Sequence, residues 1–242
     1  MRDPETFEER KKFFQSIIYP IIFVITIWMV KFVEVEMGWN LAYLGLYPLH
    51  LKGLVGIVFS PLIHSDYHHL LNNTVPVLVL SVAIFYFYTE VALRVVFFTW
   101  LFTGIAVWFG AREAYHIGAS GLIYGFASFL FFSGVIRRNV SLLAISLLVV
   151  FLYGSMIWGI FPIVPDMSWE SHLYGGIVGA ILSVVYRKYG PQRKKYDWEE
   201  EIDEYDDEEI DELIDEALKS KKGRITQKDK EWYKDFIYKD RK

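Results

Sequence analysis

The chain contains no cysteine, which excludes a disulfide framework, a thiolate nucleophile and a cysteine-built metal centre. Charge is almost missing from its middle. Residues 1–12 carry eight charged side chains and residues 187–242 carry thirty-three, whereas the 174 residues 13–186 carry only thirteen. No basic residue stands between Asp197 and Glu216, where there are fourteen acids. Three hydrolase signatures are also absent. There is no His-Glu-x-x-His, and His64 and His68 lack an intervening glutamate and a third ligand, so a zinc protease is disfavoured. No pair of aspartates lies within two apolar segments, and Gly118 to Leu122 is not a Gly-x-Ser-x-Gly elbow. The formal charge of -4 averages a basic flank with an acidic tail. No metal, cofactor or nucleic-acid partner is expected.

What is present is apolar length. About 20 mostly apolar residues cross a hydrocarbon core roughly 30 Å thick, and six stretches qualify: approximately 15–36, 69–89, 92–110, 119–136, 140–162 and 171–187. A soluble core helix would carry a charged face, yet Val140 to Val164 has no charge. The expected architecture is an all-α, six-transmembrane-helix bundle, with the lipid bilayer as its surroundings. Its domains are a cytoplasmic segment at 1–12, the membrane domain at 13–190 and an acidic, partly helical cytoplasmic tail at 191–242.

Orientation follows from basic flanks, because Lys and Arg accumulate on the cytoplasmic side. Arg2, Arg10, Lys11 and Lys12 precede the first span, Arg94 sits at the second-to-third turn, Arg137 and Arg138 separate the fourth and fifth spans, and Arg187, Lys188, Arg193, Lys194 and Lys195 follow the sixth. The opposite loops hold only Lys52 and Arg112, with Lys31 near the end of span one. Both termini are therefore expected in the cytoplasm, and a prokaryotic plasma membrane is the expected location. The first apolar run is too long for an h-region and has no small-residue cleavage site, so no cleavable signal is expected.

Two regions depart from simple hydropathy. Residues 37–68 are rich in Leu, Val, Ile and aromatic residues but are broken by Gly38, Gly45, Pro48, Gly53, Gly56 and Pro61. Irregular backbone at membrane depth survives only when protein or a water cavity satisfies it, so a structured hairpin in the outer leaflet is expected. The acidic tail cannot bury enough apolar surface to fold alone. Ile210, Leu213, Ile214 and Leu218 fit one short amphipathic helix, and a second is expected around Trp232, Phe236 and Ile237. A solvated appendage and a docking element for a cytoplasmic partner are the two readings of the tail.

The chemistry concentrates in spans two, four and six. His69 and Asn73 begin the second, Ser120 begins the fourth and His172 begins the sixth, so all four share the non-cytoplasmic side. Polar groups at membrane depth are costly and usually face a bundle interior or a water-filled space. A serine hydroxyl needs a neighbour to accept its proton before it can attack. His172 is the favoured base, since Gly175 and Gly179 on its helix permit close approach to another helix. His116, four residues before Ser120, is the competitor. Asn73 offers an amide donor and His69 a ring N–H on the same helix face. With the backbone N–H of Ser120, and with Gly118 and Gly121 allowing close approach, these could hold an oxyanion. Each feature also has a structural reading: Ser120 as a helix cap, and His69 with Asn73 as interhelical hydrogen bonds.

Taken together, His69-Leu70-Leu71-Asn72-Asn73, Gly118-Ala119-Ser120-Gly121 and His172 with Gly175 and Gly179 resemble the motifs of the rhomboid intramembrane serine proteases. The resemblance covers all six spans. It implies a six-helix rhomboid-like bundle with a membrane-embedded first outer loop and a Ser120/His172 dyad without a third acid. It also implies Tyr124 against the histidine, His64 near the site, and single-span transmembrane proteins as substrates, cut near the outer surface. Span five with residues 161–170 would form a movable gate and cap. The family's Trp-Arg dipeptide in the first outer loop is missing, with Val55 and Gly56 near its place.

The alternative function is a catalytically silent relative that binds membrane clients. Loss of the serine or the histidine would mark it, and both are present. A transporter would show repeated halves and paired ionisable groups in broken helices, and no internal repeat is visible.

Overall fold

A helix that meets lipid rather than water keeps its apolar side chains outward, and the first helix does so. The computed structural model describes residues 4–152, 158–163 and 167–192, together with positions 212, 214, 216 and 231. Helix α1, Pro4–Glu36, exposes Ile18, Ile22, Ile25, Met29 and Phe32, a stripe at helical spacing that would be unfavourable in water. Its first turns lie in the charged segment expected to precede the span. Proline suits a first helical position, and the Glu, Lys and Arg that follow are good helix formers, so the helix starts ahead of its apolar part.

Six further α-helices follow among the described residues: α2 Gly56–Phe59, α3 Tyr67–Phe87, α4 Ala92–Gly110, α5 Ser120–Arg137, α6 Val140–Leu152 and α7 Trp169–Val185. No strand occurs among them. Four stretches are long and apolar enough to cross a membrane: Phe7–Glu36, Tyr67–Phe87, Ala92–Gly110 and Ser120–Arg137. The span expected at 140–162 is described as α6 and a separate 3-10 turn, Trp158–Ile160; residues 153–157 lie outside the described residues. Helix α7 has 17 residues. The chain divides into two units, 1–193 and 194–242, and every element above belongs to the first. The amphipathic tail helices lie outside the described residues except for Ile214, which is helical, as are the isolated positions 212, 216 and 231.

Helix α5 is the centre of the bundle. It is buried nearly all round, through Gly121, Leu122, Ile123, Gly125, Phe126, Ala127, Phe129 and Leu130, and it touches α3, α4, α6 and α7. Its most extensive contact is with α7. The sequence accounts for that closeness: a Cβ on Gly175 would stand 2.1 Å from the Gly121 carbonyl oxygen, and one on Gly179 would stand 2.0 Å from that of Gly125. Only glycine lets the two backbones meet so closely. Gly176, between them in sequence, meets nothing within 4 Å.

Residues 37–66 form a tethered run of short turns, with 3-10 segments Leu41–Leu44, Leu51–Val55 and Ser60–Leu62 around α2. Its backbone is satisfied by the helices beside it. Leu46 and His116 exchange both backbone hydrogen bonds, Leu46 N to His116 O at 3.0 Å and His116 N to Leu46 O at 2.8 Å. The Trp108 indole donates to His50 O at 3.1 Å and the Trp100 indole to Ile57 O at 3.0 Å. Gly53 and Gly56, beside the place of the missing Trp-Arg pair, lie against the backbone of Tyr47 and Leu46 so tightly that no side chain would fit. A buried ion pair adds a further tether. Lys31 Nζ donates to Glu34 at 2.9 Å, to His64 O at 3.1 Å and to Ser65 O at 3.0 Å, using all three of its protons.

Candidate active site

Ser120 is the first residue of α5, and the chain reaches it through Gly118 at φ +105. That backbone region suits glycine, and space demands it as well. A Cβ at Gly118 would lie 2.8 Å from both Cε1 and Nε2 of His69 and 3.6 Å from Asn73 Nδ2. The Gly118 N–H donates to Ser60 O at 2.9 Å. The Ala119 N–H meets His64 Nε2 at 3.4 Å. The turn that presents Ser120 is thus fastened to the segment between α1 and α3 at two successive residues.

Ser120 Oγ lies 2.8 Å from His172 Nε2. His172 sits in the first turn of α7, 6% exposed, and its Nδ1 lies 2.8 Å from the Gly159 carbonyl oxygen. Tyr124, one helical turn after Ser120, stacks on the imidazole with centroids 4.2 Å apart and planes 8° from parallel. The close α5–α7 contact therefore brings together a serine, a histidine and an aromatic ring from two helices.

Of the expected oxyanion donors, Asn73 is 5% exposed and its Nδ2 has no hydrogen-bond partner among the described residues. A buried amide donor left unpaired costs free energy, and a group of developing negative charge would satisfy it. His69 is more constrained. Ser65 Oγ donates its single proton to Asp66 Oδ2 at 2.7 Å, so its 3.2 Å contact with His69 Nδ1 has the ring as donor. Neutral His69 then carries a lone pair on Nε2, the atom facing Gly118. It can donate there only as imidazolium. Asp66 caps α3 through His69 N at 2.8 Å, and the Ser65 hydroxyl holds its carboxyl below the ordinary range.

The remaining histidines have other partners. His116 Nε2 donates to Arg112 O at 3.1 Å while its Nδ1 accepts from the Ser168 hydroxyl, so neither nitrogen is directed at Ser120. Burial pushes its pKa down. His64 is 1% exposed, its pKa is lowered to about 3 by burial, and its ring lies 5.0 Å from that of His69. It serves the site through the Ala119 N–H. His68 contacts Asn72 at 3.3 Å, and no group of three His, Asp or Glu able to hold a metal occurs among the described residues.

Two features of the site were invisible in the sequence. Gly159 acts through its backbone, and its only sequence signal is one of two glycines in the apolar run Val140–Val164. Glu170 is 3% exposed and sends both oxygens to Arg112 Nη1 at 3.2 Å. That pair ties the loop before α5 to the start of α7.

Comparisons with known proteins identify the family. Residues 51–189 match the family model described as the Rhomboid domain. An uncharacterised protein of Mycobacterium tuberculosis is 34% identical over 187 residues, covering 72% of this chain and 75% of its own length. An uncharacterised protein of Mycobacterium leprae is 32% identical over 186 residues, covering 72% of each. A helical membrane domain, the match over residues 51–189 and these relatives lead to one conclusion: the chain belongs to the rhomboid family.

Proposed function

We propose that the protein is an intramembrane serine protease that cuts single-span membrane proteins near the outer end of their spans. The observation that carries this reading is the 2.8 Å contact between Ser120 Oγ and His172 Nε2. Ser120 Oγ attacks the scissile carbonyl carbon as its proton passes to His172 Nε2. The carbonyl oxygen becomes an oxyanion, held by Asn73 Nδ2 and the Ser120 backbone N–H. Collapse breaks the C–N bond, and His172 returns the proton to the leaving amine. Water then attacks the acyl-enzyme with His172 again as base, which releases the acid and restores Ser120. A substrate helix must unwind first, because its carbonyls are engaged in its own hydrogen bonds.

In this reading the chain crosses a bacterial plasma membrane six times, with residues 140–162 as the fifth span and α7 in the sixth. Both termini are cytoplasmic, residues 37–68 sit in the outer leaflet, and 191–242 form a cytoplasmic tail. The test is reconstitution of the full chain with a labelled single-span substrate. Wild type should cleave, Ser120→Ala and His172→Ala should lose all measurable cleavage, and His116→Ala should retain it. Cleavage by Ser120→Ala sinks the proposal. No cleavage by wild type, with clients still bound, would leave the silent, client-binding reading in its place.

A further inference from the structure

We propose that Gly159 is the positioning residue of the Ser120/His172 pair, its backbone carbonyl standing where other serine hydrolases place an acid; this rests on the protease reading above. A carbonyl oxygen only accepts hydrogen bonds. The 2.8 Å contact with His172 Nδ1 therefore puts the imidazole proton on Nδ1, and in the neutral ring Nε2 must carry the lone pair. That is the nitrogen 2.8 Å from Ser120 Oγ. One backbone bond thus selects the tautomer that can take the serine proton.

The acid that could have done this is committed elsewhere. Glu170 stands two residues before His172, but both its oxygens face Arg112 Nη1 at 3.2 Å and one accepts the Arg112 N–H at 3.4 Å. Burial of His172 to 6% exposure limits water as a substitute. Tyr124 holds one face of the ring, which fixes its plane, while the carbonyl fixes its rotation within that plane.

The side-chain position explains why the residue is glycine. A Cβ on Gly159 would lie 2.1 Å from Tyr124 Oη, 3.0 Å from His172 Nδ1 and 3.2 Å from Tyr124 Cζ. Any side chain pushes the 3-10 turn Trp158–Ile160 away from both rings, and the Nδ1 acceptor moves with it. The requirement is one of space between two rings, and it falls on a segment far from Ser120 in sequence.

The test uses the full chain with ¹⁵N-labelled histidine, His172→Ala assigning the resonances, and cleavage of the labelled substrate measured in parallel. Wild-type His172 should show a protonated Nδ1 and an unprotonated Nε2. In Gly159→Ala that single tautomer should give way to a mixture. The same variant should lose roughly 100-fold in kcat, since a positioned general base contributes about 10²–10⁴, with KM within about two-fold. Gly176→Ala, whose Cβ meets open space, should match wild type in both. Adding Tyr124→Phe to Gly159→Ala removes the closest clash and should recover part of the loss relative to Tyr124→Phe alone. A wild-type proton on Nε2 overturns the proposal whether or not the variant folds, and so does Gly159→Ala with wild-type kcat and tautomer. Inactive wild type with the proton on Nδ1 would overturn the protease reading and leave the tautomer assignment standing.

Discussion

At the scale of single residues, the site separates groups that do chemistry from groups that hold them. Asn73 belongs to the first kind by the proposed mechanism, because its buried Nδ2 has no partner among the described residues and lies beside the turn that carries Ser120. Asn73→Ala should lower kcat roughly 100- to 1,000-fold, the usual effect of losing one oxyanion donor. KM should change little, a split read directly from steady-state cleavage kinetics. A wild-type kcat would remove Asn73 from the oxyanion site. Ser120, His172, His69 and Asn73 were legible in the sequence because a polar group in an apolar run is conspicuous. Gly159 was not, because a backbone carbonyl has no letter of its own. The donor role first expected of His69 depended on which ring nitrogen carries the proton, and that is set by Ser65 and Asp66.

At the scale of elements, the α5–α7 contact and the tether of residues 37–66 carry most of the organisation. Gly175→Ala and Gly179→Ala each press a methyl against a backbone carbonyl at about 2 Å, and overpacking of that kind costs roughly 1–3 kcal/mol. Both should lower the thermal unfolding midpoint in detergent and reduce cleavage, whereas Gly176→Ala should do neither. Equal midpoints for all three would mean that the helices can move apart freely. The Lys31–Glu34 pair gives a second expectation. Lys31→Met strands a carboxylate that is 7% exposed and removes donors from His64 O and Ser65 O. Breaking a buried pair from one side costs about 3–5 kcal/mol, so its midpoint should fall far below that of Lys11→Met, whose exposed 3.8 Å contact with Glu8 is worth little. Hydropathy marked residues 37–68 as structured, but their turns could not be read from it. Those turns are fixed by indoles donated from α4 and by the exchange between Leu46 and His116, contacts made across long sequence separations.

At the scale of the whole molecule, the proposed orientation can be measured because the chain has no cysteine. Single cysteines placed at Arg10 and Gln192 should react with a membrane-impermeant maleimide only after the membrane is opened, while one at Glu113, exposed between α4 and α5, should react in intact cells. Labelling in the opposite sense would invert the topology. Helix order and most boundaries followed from apolar length. The beginning of α1 did not, because its first turns are held by propensity rather than by lipid.

The Arg112–Glu170 pair has a mechanical consequence. It fastens the loop between α4 and α5 to the first turn of α7, while the glycine contacts fasten α5 to α7 further along. Two rods joined through their backbones and through the loop that leads into one of them tilt together. When a thinner or thicker bilayer forces helices to lean, this couple leans as one body, and the gap between Ser120 and His172 keeps its length.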